Sequence, residues 1–226
     1  IKKKKIQIEF EKMMNEILNE AEKFGLKNSF FLHISPNLGA KNHREIIKYS
    51  TETDIGSTDI QLLLKGALKD AGVLCLLNKY IGNKIGKKPF GEKFNFRDAP
   101  KLIEDKISFC KKHINPKDMP MIIGVGDTIT SEKITSENIY LRGGSDRSFL
   151  ELIRLLGEEY DIKNNIIYVD SSSGEVYRPS TKITGLKGIS DRQDFLKFDI
   201  IFQNGPDEYI EWFEKIAEKR FNKIKK

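Results

Sequence analysis

The chain has 226 residues and a mass of 26.0 kDa, room for one sizeable hydrophobic core or for a core with a small second module. Hydrophobic residues supply 38% and charged residues 32%, a soluble balance, and no run reaches the roughly 18 apolar residues that crossing a bilayer takes. The net charge is +6 and the chain opens IKKKK, yet its basic residues are dispersed among acids without an aromatic base-stacking pattern, so neither a nucleic-acid nor a membrane partner is expected.

Ile8, Phe10, Met13, Met14, Ile17, Leu18, Ala21 and Phe24 recur at helical spacing before Gly25, which predicts an amphipathic helix. Asn28 to Ile34 predicts a strand ending at Pro36, and Asp59 to Leu64 a second one, with a turn-rich hinge from Lys48 to Ser57 between them. A helix follows over Ala67 to Tyr80. It is apolar nearly all round at Val73, Leu74, Cys75, Leu76 and Leu77, which implies burial on more than one side. Beyond a Gly-, Lys- and Pro-rich link come a helix over Ala99 to Lys112, a strand at Met121, a helix over Asp146 to Leu156, strands at Asn165 to Val169 and Phe198 to Phe202, and a closing helix over Pro206 to Arg220. Alternating helices and strands define an α/β chain with a parallel sheet. Cys75 and Cys110 lie in apolar helical patterns without metal-ligand spacing and read as buried thiols. No basic-then-apolar leader opens the chain, so a cytoplasmic protein is expected. Its start at Ile1 instead of Met points to a processed or longer chain.

The stretch MPMIIGVGDTITS, Met119 to Ser131, has the form of a central parallel strand that ends on glycine and delivers Asp127 at its carboxyl end, where open α/β folds place ligands. An acid there serves chemistry or caps the next turn. Two further segments bear on it. In LLLKGALKDAG a strand gives way to a helix with lysines at the junction, and in RGGSDR a second carboxylate, Asp146, starts the helix behind the Asp127 strand. Mg²⁺ favours one or two carboxylates completed by water and phosphate oxygens, and a phosphoryl group favours a nearby lysine and helix amino termini.

Lys69 opening a helix and a later strand ending in Gly126-Asp127 resemble the third and fourth motifs of haloacid dehalogenase-type phosphatases. Together NSFFLHISPNLG, KGALKDAGVLCLLNKY, IIGVGDTITS and RGGSDRSFLELI make the chain similar to the glucosylglycerol 3-phosphate phosphatase family of that superfamily, from about Phe10 to the end. The resemblance implies a partial Rossmann-like, haloacid dehalogenase-type core over residues 59–226 and the remnant of an α+β cap over residues 1–58. It also implies Mg²⁺-dependent hydrolysis of glucosylglycerol 3-phosphate to glucosylglycerol, an osmoprotectant. Alternatives are another sugar phosphate (sucrose, trehalose or mannosylglycerate phosphate) or a non-catalytic sugar-phosphate-binding module. The family's DxD nucleophile motif does not occur in these 226 residues, so the nucleophile is expected upstream of Ile1 and the chain by itself is expected to be inactive.

Residue by residue, the resemblance makes Asp127 the fourth-motif acid that binds Mg²⁺. The position four residues on, where relatives carry a second acid, is Ser131. A hairpin inserted after Asp127 would let Asp146 resume the pattern as the second metal ligand, the other reading being a simple helix cap. Lys69 matches the catalytic lysine, with Lys65 as runner-up. His33, Asn37 and Arg44 in the cap-like segment, and Arg147 beside Asp146, are the substrate-binding candidates. Trp212 is read as packing.

Overall fold

The computed structural model describes residues 2–26, 29–41, 44–64, 68–134, 139–174 and 178–224. Helix α1 (Lys2–Lys23) comes first and is followed by β1 (Phe30–Ser35), β2 (Asn37–Lys41), β3 (Arg44–Ile47) and β4 (Asp59–Leu64). Strands β1 and β4 pair antiparallel from Phe30 opposite Leu64 to Ser35 opposite Asp59. α1 packs on this pair and is pinned to the loop before β4 by Gln7, whose amide donates to the carbonyls of Ile55 (3.0 Å) and Ser57 (2.7 Å) and accepts from the Ser50 amide (2.8 Å). The β2–β3 hairpin is absent from the sequence reading, which has only a helix and two strands in this part. Its strands lack apolar alternation, and their register slips between Asn37 and Ala40, where Gly39 takes φ +86°.

The second part builds α2 (Lys69–Ile85), α3 (Ile103–His113), β5 (Ile123–Gly126), β6 (Thr130–Lys133), β7 (Tyr140–Gly143), α4 (Arg147–Glu159), β8 (Asn165–Val169), α5 (Thr181–Thr184), β9 (Ile200–Phe202) and α6 (Pro206–Ile224). Strands β5, β8 and β9 form the expected parallel sheet in that order. Along β8 the side chains alternate: Ile166 and Tyr168 enter a core with Leu74 and Leu77 of α2, Cys110 of α3 and Leu150, Ile153 and Leu156 of α4. Ile167 and Val169 face the other way, onto Phe202 and the Tyr209, Trp212 and Phe213 side chains of α6. Both sheet faces are covered, which is why the strands read as continuous apolar runs. Trp212 is a packing residue, 5.6 Å from Phe202 ring to ring. Each fully buried aliphatic side chain here contributes about 1.5–3 kcal/mol of transfer free energy.

Three expectations need correction. β5 begins at Ile123 instead of Met121, and it lies at the sheet edge, pairing with β8 alone among the described residues. Met121 and Ile123 are 59% and 44% exposed. Helix α2 is open on one side, with Leu76 exposed. Cys110 is buried, but Cys75 is only half-buried. No helix among the described residues is long and apolar enough to cross a membrane.

Between Asp127 and Asp146 the chain forms the antiparallel β6–β7 hairpin, and it grips the amino-terminal part. The Asn37 side-chain oxygen accepts from the amides of Gly39 (3.0 Å) and Gly144 (2.9 Å), and its nitrogen donates to the Ile34 carbonyl (2.9 Å) and to Glu45 Oε2 (3.0 Å). The Thr130 hydroxyl donates to the Asn37 carbonyl. A Cβ on Gly143 would stand 2.1 Å from the Gly39 nitrogen, so this approach requires glycine.

Candidate active site

Parallel strands end at one edge, so the residues after β5 and β8, Asp127 and Asp170, emerge together. α4 returns behind β5 and brings Asp146 back to that edge, and the amino terminus of α2 brings Lys69. The result is a pocket of about 430 Å³ lined by Lys69, Asp127, Asp146, Phe149, Val169 and Tyr209, among others.

Asp146 does not cap its own helix. It occupies the N-cap position of α4 without a side-chain cap bond. Oδ2 instead accepts from the amides of Asp127 (2.8 Å) and Thr128 (2.9 Å), and Oδ1 pairs with the Lys69 ammonium. Asp146 is 2% exposed, whereas the Lys69 side chain stands 56% exposed at the pocket mouth. Gly126 makes room for this: a Cβ there would lie 2.9 Å from that of Asp146. Both Asp146 oxygens are therefore engaged in orienting the Asp127 turn and Lys69.

The Asp127 carboxylate is more open, with its side chain 39% exposed. Burial works against its ionised form, but the hydroxyls of Ser171 and Thr128 and the nearby Arg178 guanidinium outweigh this and hold its pKa below the ordinary carboxylate value. Thr128 Oγ1 donates to Asp127 Oδ1 at 2.9 Å. The Ser171 hydroxyl that faces Asp127 is buried.

The four substrate candidates lie elsewhere, and none of them lines this pocket or the larger groove beside it. His33 Nδ1 meets Glu45 Oε1 at 3.1 Å, and Arg44 is exposed on β3 opposite Lys41. The amide of Asn37 is fully used within the protein, both of its donors and its oxygen being occupied. Arg147 is buried in a bidentate pair with Asp194, at 3.0 and 2.6 Å, and also bonds Glu151. The structure gives Asn37 and Arg147 architectural tasks.

Sequence reasoning missed Thr128, Ser171 and Arg178. Thr128 and Ser171 were signalled only by following strand ends, and Arg178 lies in a loop without periodicity. Asp170, also unremarked, anchors that loop: burial opposes its charge, but bonds from Ser172 and Thr181 bring its pKa down to about 2.

Two aspartates and a lysine drawn from three elements to the carboxyl edge of a parallel sheet define an α/β protein whose candidate site gathers two carboxylates and an ammonium group. The chain belongs to the glucosylglycerol-phosphate phosphatase family, whose profile matches residues 1–217. It is 40% identical over 220 residues to a glucosylglycerol-phosphate phosphatase of Synechocystis sp., and the alignment covers 92% of this chain and 52% of that protein. The chain thus spans about half the length of this curated relative. No solved structure matches it.

Proposed function

We propose that this chain forms part of a Mg²⁺-dependent phosphatase with a haloacid dehalogenase-type core, hydrolysing glucosylglycerol 3-phosphate to glucosylglycerol and phosphate. The observation that carries this reading is the convergence of Lys69, Asp127 and Asp146 on one pocket, in a chain of the matching family. Lys69 neutralises charge on phosphoryl oxygens, and Asp146 positions it.

The donor set fits Mg²⁺ in part. Asp127 offers an ionised, accessible carboxylate, while Asp146 acts from behind it through the Asp127 and Thr128 amides. Among the described residues no group of three acids, histidines or cysteines gathers to hold a metal, so further ligands come from phosphate, water and the missing nucleophile. The bound cation would supply charge stabilisation to the phosphoryl oxygens.

The nucleophile of this reading is an aspartate outside these 226 residues. Its oxygen bonds to phosphorus as the ester P–O bond breaks and the alcohol oxygen takes a proton, and water then cleaves the aspartyl phosphate. The open edge of β5 supports this, because a further parallel strand fits there and would end beside Asp127. The experiment is to join the chain to the portion of the Synechocystis protein that it does not align with, and to assay phosphate release from glucosylglycerol 3-phosphate and from sucrose and trehalose phosphates. Mg²⁺-dependent turnover favouring the first ester is expected, and Lys69→Ala should lower kcat by about 10²-fold or more. Equal activity of the Lys69 variant, or no turnover of any ester, would refute the reading.

A further inference from the structure

Helix α2 begins at Lys69 without a side-chain cap, because Leu68 before it is extended and has no polar atom to offer the first amides. Lys69 and its neighbour Asp70 point about 100° apart around the helix axis. Lys69 reaches out to Asp146 with its side chain 56% exposed, whereas the Asp70 side chain turns inward and is 4% exposed. There Asp70 Oδ1 accepts from the Ala71 amide at 2.7 Å, and Oδ2 lies 3.2 Å from the ammonium of Lys106 on α3. Lys106, only 1% exposed, also donates to the Lys101 carbonyl at 2.7 Å. A buried ion pair thus ties the first turn of α2 to α3, one residue away from the lysine at the pocket mouth.

Stability does not account for this pair. Two charges lose their hydration on burial, and an apolar pair of similar volume is often as stable in such a place, or more so. Leu74 and Leu77 of α2 and Cys110 of α3 already supply apolar burial in the same core. What the ion pair adds is a single geometry. Apolar contacts between helices tolerate small rotations and slides, while a carboxylate and an ammonium that is also held by a backbone carbonyl fix direction and register. The first turn of an uncapped helix needs such a tether if its leading side chain is to keep one orientation.

We propose that Asp70 and Lys106 are positioning residues: their pair sets the first turn of α2 so that the Lys69 ammonium meets Asp146. This rests on the phosphatase reading only for its effect on turnover.

The variant that separates positioning from stability is Asp70→Leu/Lys106→Met, which removes both charges together. In the 226-residue chain it should resist urea at least as well as the parent, yet Lys69 should be acetylated about threefold faster or more, the scale of one ion pair lost, as read by mass spectrometry of its peptide. An acetylation rate equal to that of the parent overturns the proposal. Should the double variant not fold, Lys106→Arg decides, since it keeps the charges but alters the reach of the pair: an intermediate rate is expected, and the parent rate overturns the proposal. In the joined enzyme with saturating Mg²⁺, the double variant should lower kcat for glucosylglycerol 3-phosphate about 10-fold or more with KM within about twofold. Lys69→Ala should then cost far less in the double variant than in the parent, because its side chain is already misplaced. An equal cost of Lys69→Ala in both backgrounds overturns the positioning role. No turnover by the joined parent enzyme refutes the phosphatase reading instead, and the acetylation rates still decide whether the pair orients Lys69.

Discussion

At Asn37 one side-chain amide closes four hydrogen bonds, and Gly39 and Gly143 let two hairpins approach where a Cβ finds backbone atoms 2.5 and 2.1 Å away. At β5 the strand pairs on one side only among the described residues, and Met121 and Ile123 face solvent. The same chain thus contains a junction with its polar groups satisfied and a sheet edge with its backbone groups and apolar side chains on offer. The difference teaches where its stability is concentrated and where a further element fits. The β6–β7 hairpin ties the amino-terminal part to the core and returns Asp146 to the edge, so it stabilises the fold and positions the site together.

If that contrast is right, substitutions at the junction cost far more than those at the edge. The largest effect should come beneath the junction, where Arg147→Ala leaves buried Asp194 without its bidentate partner; urea unfolding should show a loss of about 3–5 kcal/mol. Asn37→Ala strands the Gly39 and Gly144 amides and should cost about 2–4 kcal/mol, while Asn37→Asp, which sets a second carboxylate against Glu45, should be no better.

The Asp170 loop sits between these extremes. Its depressed pKa means that its stabilisation is complete above the unfolded value of about 3.9 and is lost as pH falls towards about 2. Asp170→Asn should therefore be less stable than the parent by about 1–2 kcal/mol at neutral pH, and the gap should narrow below pH ~4. A gap independent of pH would show that the charge is not what anchors the loop. The smallest effect is expected at the edge: Ile123→Thr should change the stability of this chain by no more than about 0.5 kcal/mol. A loss comparable to that of Asn37→Ala would break the contrast.

The sequence made the periodic elements legible. β4 runs over the residues expected of it, the parallel sheet follows from element order, and the hairpin between Asp127 and Asp146 follows from a misplaced second acid. Lys69, Asp127 and Asp146 were legible as a group because strand ends and helix starts converge by topology. The Asn37 bracket and the Arg178–Thr128 contact were not, because each depends on partners far along the chain: Asn37 meets Gly144 across 107 positions, and Arg178 meets Thr128 across 50. No local pattern encodes such pairings. The β2–β3 hairpin escaped for a related reason, since polar strands with a slipped register carry no period-2 signal.

The central claim is that β5 receives a strand bearing the nucleophile, and amide hydrogen exchange tests it directly. The Asn165 amide donates to the Ile122 carbonyl, so the alternation of a parallel ladder turns the Ile123 and Val125 amides to the unpaired edge. In this chain alone the two amides should exchange rapidly, and in the joined enzyme they should slow by about 10²-fold or more as the edge is covered. Equal exchange of Ile123 and Val125 in the two proteins would contradict the account.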